Sequence, residues 1–110
     1  MSQLTTHVLD VTFGRPAAGV PVVLSARVAG EWSLIGSGTT DDDGRARSLA
    51  PETVPVGTYR FVFDTTAYFA ATGQASFLPE VVVVFDVIDD RHYHVPLLLS
   101  PFAYSTYRGS

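Results

Sequence analysis

Apolar and polar residues alternate along most of this chain in short runs, broken by Gly, Pro and Asp. That period of two predicts strands rather than helices. Leu4 to Thr12 is rich in β-branched residues and ends at Phe13-Gly14-Arg15-Pro16. From Val20 to Val28, Val20, Val22, Leu24, Ala26 and Val28 share one face, the core side, while Pro21, Val23, Ser25 and Arg27 make the other mixed. After the turn Ala29-Gly30-Glu31, a third strand covers Trp32 to Thr40, weakened by Gly36 and Gly38. Asp41-Asp42-Asp43-Gly44 is a turn, because Asp side chains bond nearby backbone and Gly supplies positive φ. Tyr59 to Asp64 places Tyr59, Phe61 and Phe63 together. Thr65 to Thr72 is the one short helix, with Thr65 or Thr66 as its cap and Gly73 as its stop. Strands follow at Val81 to Ile88, Arg91 to Leu99 and Phe102 to about Arg108. Seven or eight short strands with frequent turns predict an all-β antiparallel sandwich.

Two of these strands break the usual rule that one face of an antiparallel sheet is wet and polar. Val81 to Ile88 is apolar on both faces over much of its length. Arg91 to Leu99 sets Tyr93, Val95, Leu97 and Leu99 against His92, His94, Pro96 and Leu98. Another subunit is the simplest cover. Composition agrees: 110 residues make one domain, 1–110, and only 16% of them are charged, against about 25% in an average domain. A charge-poor small domain is expected to hide surface against other chains. All seven basic residues are Arg, none clusters, and the net charge is −4, so a nucleic-acid partner is excluded. The absence of Cys removes disulfides, thiolate chemistry and Cys-ligated metals. The first residues lack the charged and apolar regions of a secretory signal, and Val81 to Phe85 is too short to span a bilayer. A soluble, cytoplasmic chain without a membrane partner is expected.

Few residues carry reactive chemistry. His7 shares a face with Leu9 and Val11. His92 and His94, two apart on one strand, project from the same side. Imidazoles titrate near neutrality and move protons there; singly, each more commonly serves structure. They become a site only if the strands Leu4–Thr12 and Arg91–Leu99 are neighbours in space. Zinc is a rival reading, with His7, His92 and His94 as ligands, an open water position and Asp10 behind them. The terminal Tyr104 to Ser110 is polar, aromatic and cationic, with a guanidinium fork at Arg108, a phenol at Tyr107, and at Ser110 a hydroxyl and the chain's carboxylate. Arg45 and Arg47 follow the acidic turn, either as solvated charges or as an anion clamp. That turn lacks the remaining ligand spacing of a calcium loop, and no phosphate loop or nucleophile elbow occurs.

Three stretches carry a resemblance. Thr6-His7-Val8-Leu9-Asp10 with Gly14-Arg15-Pro16-Ala17, then Asp43-Gly44-Arg45, then His92 to Pro101 closing with Tyr107-Arg108-Gly109-Ser110, together resemble the 5-hydroxyisourate hydrolases, the transthyretin-related enzymes of purine breakdown. Tyr59-Arg60 and Ala67-Tyr68-Phe69 extend the likeness over nearly the whole chain; Trp32 to Thr40 matches least, and Ala103 stands where the family often has Gly. The terminal Tyr-Arg-Gly-Ser is the family's signature and is absent from hormone-carrying transthyretins.

The resemblance implies a transthyretin-like sandwich, a homotetramer with active sites between dimers, and hydrolysis of 5-hydroxyisourate to 2-oxo-4-hydroxy-4-carboxy-5-ureidoimidazoline without metal or organic cofactor. It assigns catalysis to His7, Arg45 and His94. Substrate binding falls to His7, Arg45, Tyr107, Arg108, Gly109 and Ser110, with His92 in support. The chemistry is coherent: one imidazole, His7 or His94, takes a proton from water, and Arg45 meets the carbonyls or the developing charge. A carrier of small hydrophobic ligands on the same sandwich is the alternative, and a purely structural sandwich is a third.

Overall fold

The computed structural model describes residues 2–110. Eight strands and one helix follow in order: β1 Leu4–Asp10, β2 Arg15–Pro16, β3 Pro21–Val28, β4 Glu31–Thr39, β5 Gly57–Phe63, α1 Thr65–Ala71, β6 Val81–Val87, β7 Tyr93–Leu99 and β8 Tyr104–Thr106. They form two four-stranded sheets, ordered β2-β1-β7-β8 and β4-β3-β5-β6. Inward residues of both sheets, led by Leu4, Val8, Val22, Leu24, Phe61, Phe63, Leu97 and Leu99, make the buried core. Tyr59, Phe61 and Phe63 all point inward, as their alternation predicts.

One pairing departs from the antiparallel expectation. β1 and β7 run parallel over seven residue pairs, Leu4 against Tyr93 to Asp10 against Leu99. Parallel neighbours need a long crossover, and here the crossover is the entire second sheet. Strand-by-strand alternation carries no information on such a pairing. The eighth strand is the two-residue β2, within the segment expected only to end the first strand. The last strand is shorter than expected, three residues, and the chain beyond it bridges to the backbone of β7 again at Gly109.

The helix is capped one residue earlier than predicted. Asp64 Oδ1 accepts from Ala67 N–H at 3.1 Å. Thr65 and Thr66 instead donate their hydroxyls to the carbonyls of Leu78 and Pro79. They tie the following loop down, and the carboxylate, a strong N-cap acceptor, is left to cap. Gly73 stands past the C-terminal end with φ +69°, the expected stop. The buried Tyr68 donates to Asp10 Oδ2 at 2.5 Å, joining α1 to the end of β1. Among the described residues, no helix is long and apolar enough to cross a membrane.

Candidate active site

The pairing of β1 with β7 meets the condition set by the histidines. Side chains alternate across a strand, and β1 buries Leu4, Thr6, Val8 and Asp10 while Thr5, His7 and Leu9 face outward. The register sets Thr5 beside His94 and His7 beside Pro96. The His7 and His94 ring centroids are 6.5 Å apart, and those of His92 and His94 are 6.2 Å apart with planes inclined by 18°. Thr5 Oγ1 lies 2.8 Å from His94 Nδ1 and 2.9 Å from His92 Nε2. Sequence reasoning missed Thr5, although strand alternation from His7 already puts it on the histidine face.

Arg45 is delivered by the acidic turn. Asp41 Oδ1 accepts from the N–H groups of Asp43 (2.9 Å) and Arg45 (3.0 Å), which closes the loop. Val8 N–H donates to Gly44 O at 2.8 Å, and Arg45 bridges His7 as an antiparallel partner. Gly44 makes this approach possible. Its φ is +80°, and a Cβ there would stand 2.4 Å from Val8 O and 3.2 Å from His7 Cδ2. Arg47 Nε donates to Asp41 Oδ2 at 3.0 Å, with Asp43 Oδ2 3.8 Å from its Nη2. The Arg45 N–H bond, then the Arg47 guanidinium, hold the Asp41 carboxyl below its ordinary range. The turn thus neutralises Arg47. Among the described residues, no carboxylate is paired with Arg45.

The C-terminal segment braces the other histidine. Thr106 Oγ1 donates to Pro96 O, and Gly109 N–H to His94 O, each at 2.7 Å. A Cβ on Gly109 would stand 2.7 Å from His94 Cδ2 and 3.2 Å from Pro96 Cγ. The φ of Gly109 is not positive, so glycine is needed here for closeness, not for conformation.

A cleft of about 650 Å³ joins these groups, with Thr5, Arg45, His92, His94 and Ser110 among its lining residues and His7 beside it. Burial pushes the His94 imidazole below its ordinary range, and the Arg45 cation, His92 and His7 push the same way. Each of these effects favours the neutral imidazole, which has a lone pair to offer. A neutral base, a nearby guanidinium and room for a small ring compound suit addition of water to a polarised carbonyl.

Two predicted groups lie elsewhere in the chain. Tyr107 and Arg108 line a second cavity of about 400 Å³ between the β6 and β8 edges, with Val83, Phe85, Tyr93 and Val95. The Arg108 guanidinium carbon stacks 4.0 Å from the Tyr93 ring centroid, and Nη2 donates to His92 O at 3.3 Å. These two side chains of the terminal tetrapeptide thus face away from the cleft, whereas Ser110 lines it and Gly109 packs on His94. Asp10 is fully buried on the face of β1 opposite His7, so it cannot stand behind these imidazoles as the zinc reading requires. Both His94 Nδ1 and His92 Nε2 are already engaged by Thr5.

A model of the HIUase/Transthyretin family matches residues 4–109. The 5-hydroxyisourate hydrolase of Caulobacter vibrioides is 49% identical, with both chains covered in full. That of Mus musculus is 46% identical over 99% of this chain and 96% of its own. Among solved structures, sea bream transthyretin in complex with thyroxine superposes with a TM-score of 0.92 at 39% identity, covering 97% of this chain and 94% of that one. The Klebsiella pneumoniae 5-hydroxyisourate hydrolase does so at 0.84 and 37%, covering 100% and 94%.

Proposed function

The chain belongs to the HIUase/Transthyretin family, and from that premise we propose that it hydrolyses 5-hydroxyisourate in urate degradation, with His94 as the base that activates water. The observation that carries this reading is the placement of His94, which lines the cleft with Arg45 and is fixed at Nδ1 by Thr5, while burial favours its neutral form. His94 takes a proton from water, and the oxygen adds to a ring amide carbonyl. Arg45 receives the oxyanion. The carbon–nitrogen bond then breaks, the nitrogen leaves with a proton returned from the site, and a carboxylate forms. His7, on the same face and held against Gly44, completes the substrate wall. His92 supports through Thr5. Gly109 and Ser110 close the cleft on the tail side. A pure ligand carrier uses the same sandwich, but has no need for an imidazole held beside a guanidinium that, among the described residues, pairs with no carboxylate.

The oligomer follows the same reading. β6 and β8 end their sheets side by side, bordering one cavity. Val84, Ile88, Tyr104 and Tyr107 are exposed there. A second copy laid against that edge would continue both sheets and bury Tyr107 and Arg108. Two such dimers meeting over the histidine face give the homotetramer, with each cleft at the dimer–dimer interface, in the cytoplasm.

The test is to add the purified protein to urate undergoing enzymatic oxidation and follow the transient absorbance of 5-hydroxyisourate. Decay faster than the spontaneous rate is expected, and should be lost in His94→Ala. Unchanged decay would overturn the reading. Light scattering should give the mass of four copies.

A further inference from the structure

The contact of one hydroxyl with two imidazoles constrains where the protons are. Thr5 Oγ1 carries a single proton and accepts through its lone pairs. It lies within hydrogen-bond distance of both His94 Nδ1 and His92 Nε2. It can donate to only one of them, and where it does, the other ring must donate to it. Two arrangements result. In one, Thr5 donates to His94 Nδ1, and neutral His94 then holds its proton on Nε2. In the other, His94 Nδ1–H donates to Thr5, Thr5 donates to His92 Nε2, and His94 Nε2 is left bare.

Only the second arrangement yields a base. Nδ1 of His94 is occupied by Thr5 and its Cδ2 edge is covered by Gly109, which leaves the Nε2 edge for the cleft that His94 lines. We infer that Thr5, with His92 as the acceptor that orients its hydroxyl, is a positioning residue that selects the Nδ1–H tautomer of His94. This rests on the reading of His94 as the base. When Nε2 takes the proton from water, the Nδ1–H to Oγ1 bond persists, so the ring ionises without turning. A hydroxyl and a second imidazole here do the orienting task that a carboxylate does in serine-protease triads. An uncharged acceptor is compatible with His94 remaining neutral at rest.

The test combines ring-nitrogen NMR with kinetics on the full-length protein. In the wild type without substrate, long-range 1H–15N correlations should place the His94 proton on Nδ1. Thr5→Val, which keeps the shape and removes the hydroxyl, should shift that proton toward Nε2 and lower kcat about 10- to 100-fold with little change in KM. Thr5→Ser should restore both. A wild-type His94 protonated on Nε2, or a Thr5→Val variant with wild-type tautomer and kcat, would overturn the inference. Should Thr5→Val fail to fold, the wild-type spectrum and Thr5→Ser decide. The spectrum needs no turnover, so a wild type that does not consume 5-hydroxyisourate would refute the function and still reveal the tautomer.

Discussion

Replacing Gly109 by Ala adds one methyl group to a wall of the cleft, and its effect can be worked from two distances. The new Cβ would sit 2.7 Å from His94 Cδ2 and 3.2 Å from Pro96 Cγ. Carbon atoms rest at about 3.5–4.0 Å, so the ring or the tail must yield by about 1 Å. The backbone is not the obstacle, since φ at 109 is not positive, and alanine alone would gain about 0.4–1 kcal/mol through the unfolded chain. Overpacking opposes this with about 1–3 kcal/mol. The tail, held by 2.7 Å bonds at Gly109 and Thr106, and the His94 ring, held by Thr5, share the strain. A displacement of about 1 Å at a reacting group lowers turnover about 10²-fold. The net cost, at most about 2.5 kcal/mol, should lower the melting temperature by no more than about 10 °C, while kcat for 5-hydroxyisourate loss falls by about two orders of magnitude. A variant within about twofold of wild-type kcat would refute the claim that this glycine sets the position of the imidazole.

Other outcomes follow from the same geometry. Arg45→Gln removes the charge that acts most strongly on His94, so the imidazole rises toward its ordinary value. Because the base must be neutral, the acid limb of the kcat–pH profile should move to higher pH, and kcat should drop about 10²–10³-fold as an oxyanion partner is lost; a limb that stays in place would contradict the assignment. Tyr68→Phe removes the hydroxyl bonded to the buried Asp10, a phenol that burial and then the Asp10 carboxylate push up to about 12. Leaving that carboxylate under-bonded should cost about 1–3 kcal/mol, visible as a lower Tm. Activity at room temperature should be retained, since the pair lies inside the sandwich, away from the cleft.

Period-two patterning made the sheets legible, because one-sided burial writes itself into every second residue. It placed Tyr59, Phe61 and Phe63 in the core, and His92 and His94 on one side of their strand. It could not supply the parallel union of β1 and β7, since that contact pairs residues 89 apart in the chain and depends on how two sheets wrap. The helix cap was misassigned by one residue because Thr65 and Thr66 compete for the same role as Asp64, and only the loop at Leu78 and Pro79 decides how their hydroxyls are used. Tyr107 and Arg108 share a tetrapeptide with Gly109, and a motif written as a string hides that its members point to opposite sides of β7.

The two outward-facing imidazoles of β1 and β7 are each met by a glycine from a distant part of the chain. Gly44 abuts His7 Cδ2, and Gly109 abuts His94 Cδ2. In each case the next residue, Arg45 or Ser110, is set into the cleft. A flat sheet face by itself offers side chains standing free, with rotamers to lose on binding substrate. Pressing backbone against each ring removes that freedom in advance, and a side chain on either glycine would prevent the approach. The glycines thus convert an exposed strand face into a walled site, one wall brought by the acidic turn and the other by the C-terminal segment. On the proposed reading, the site in this chain depends on the two backbone segments that hold the imidazoles still as much as on the imidazoles themselves.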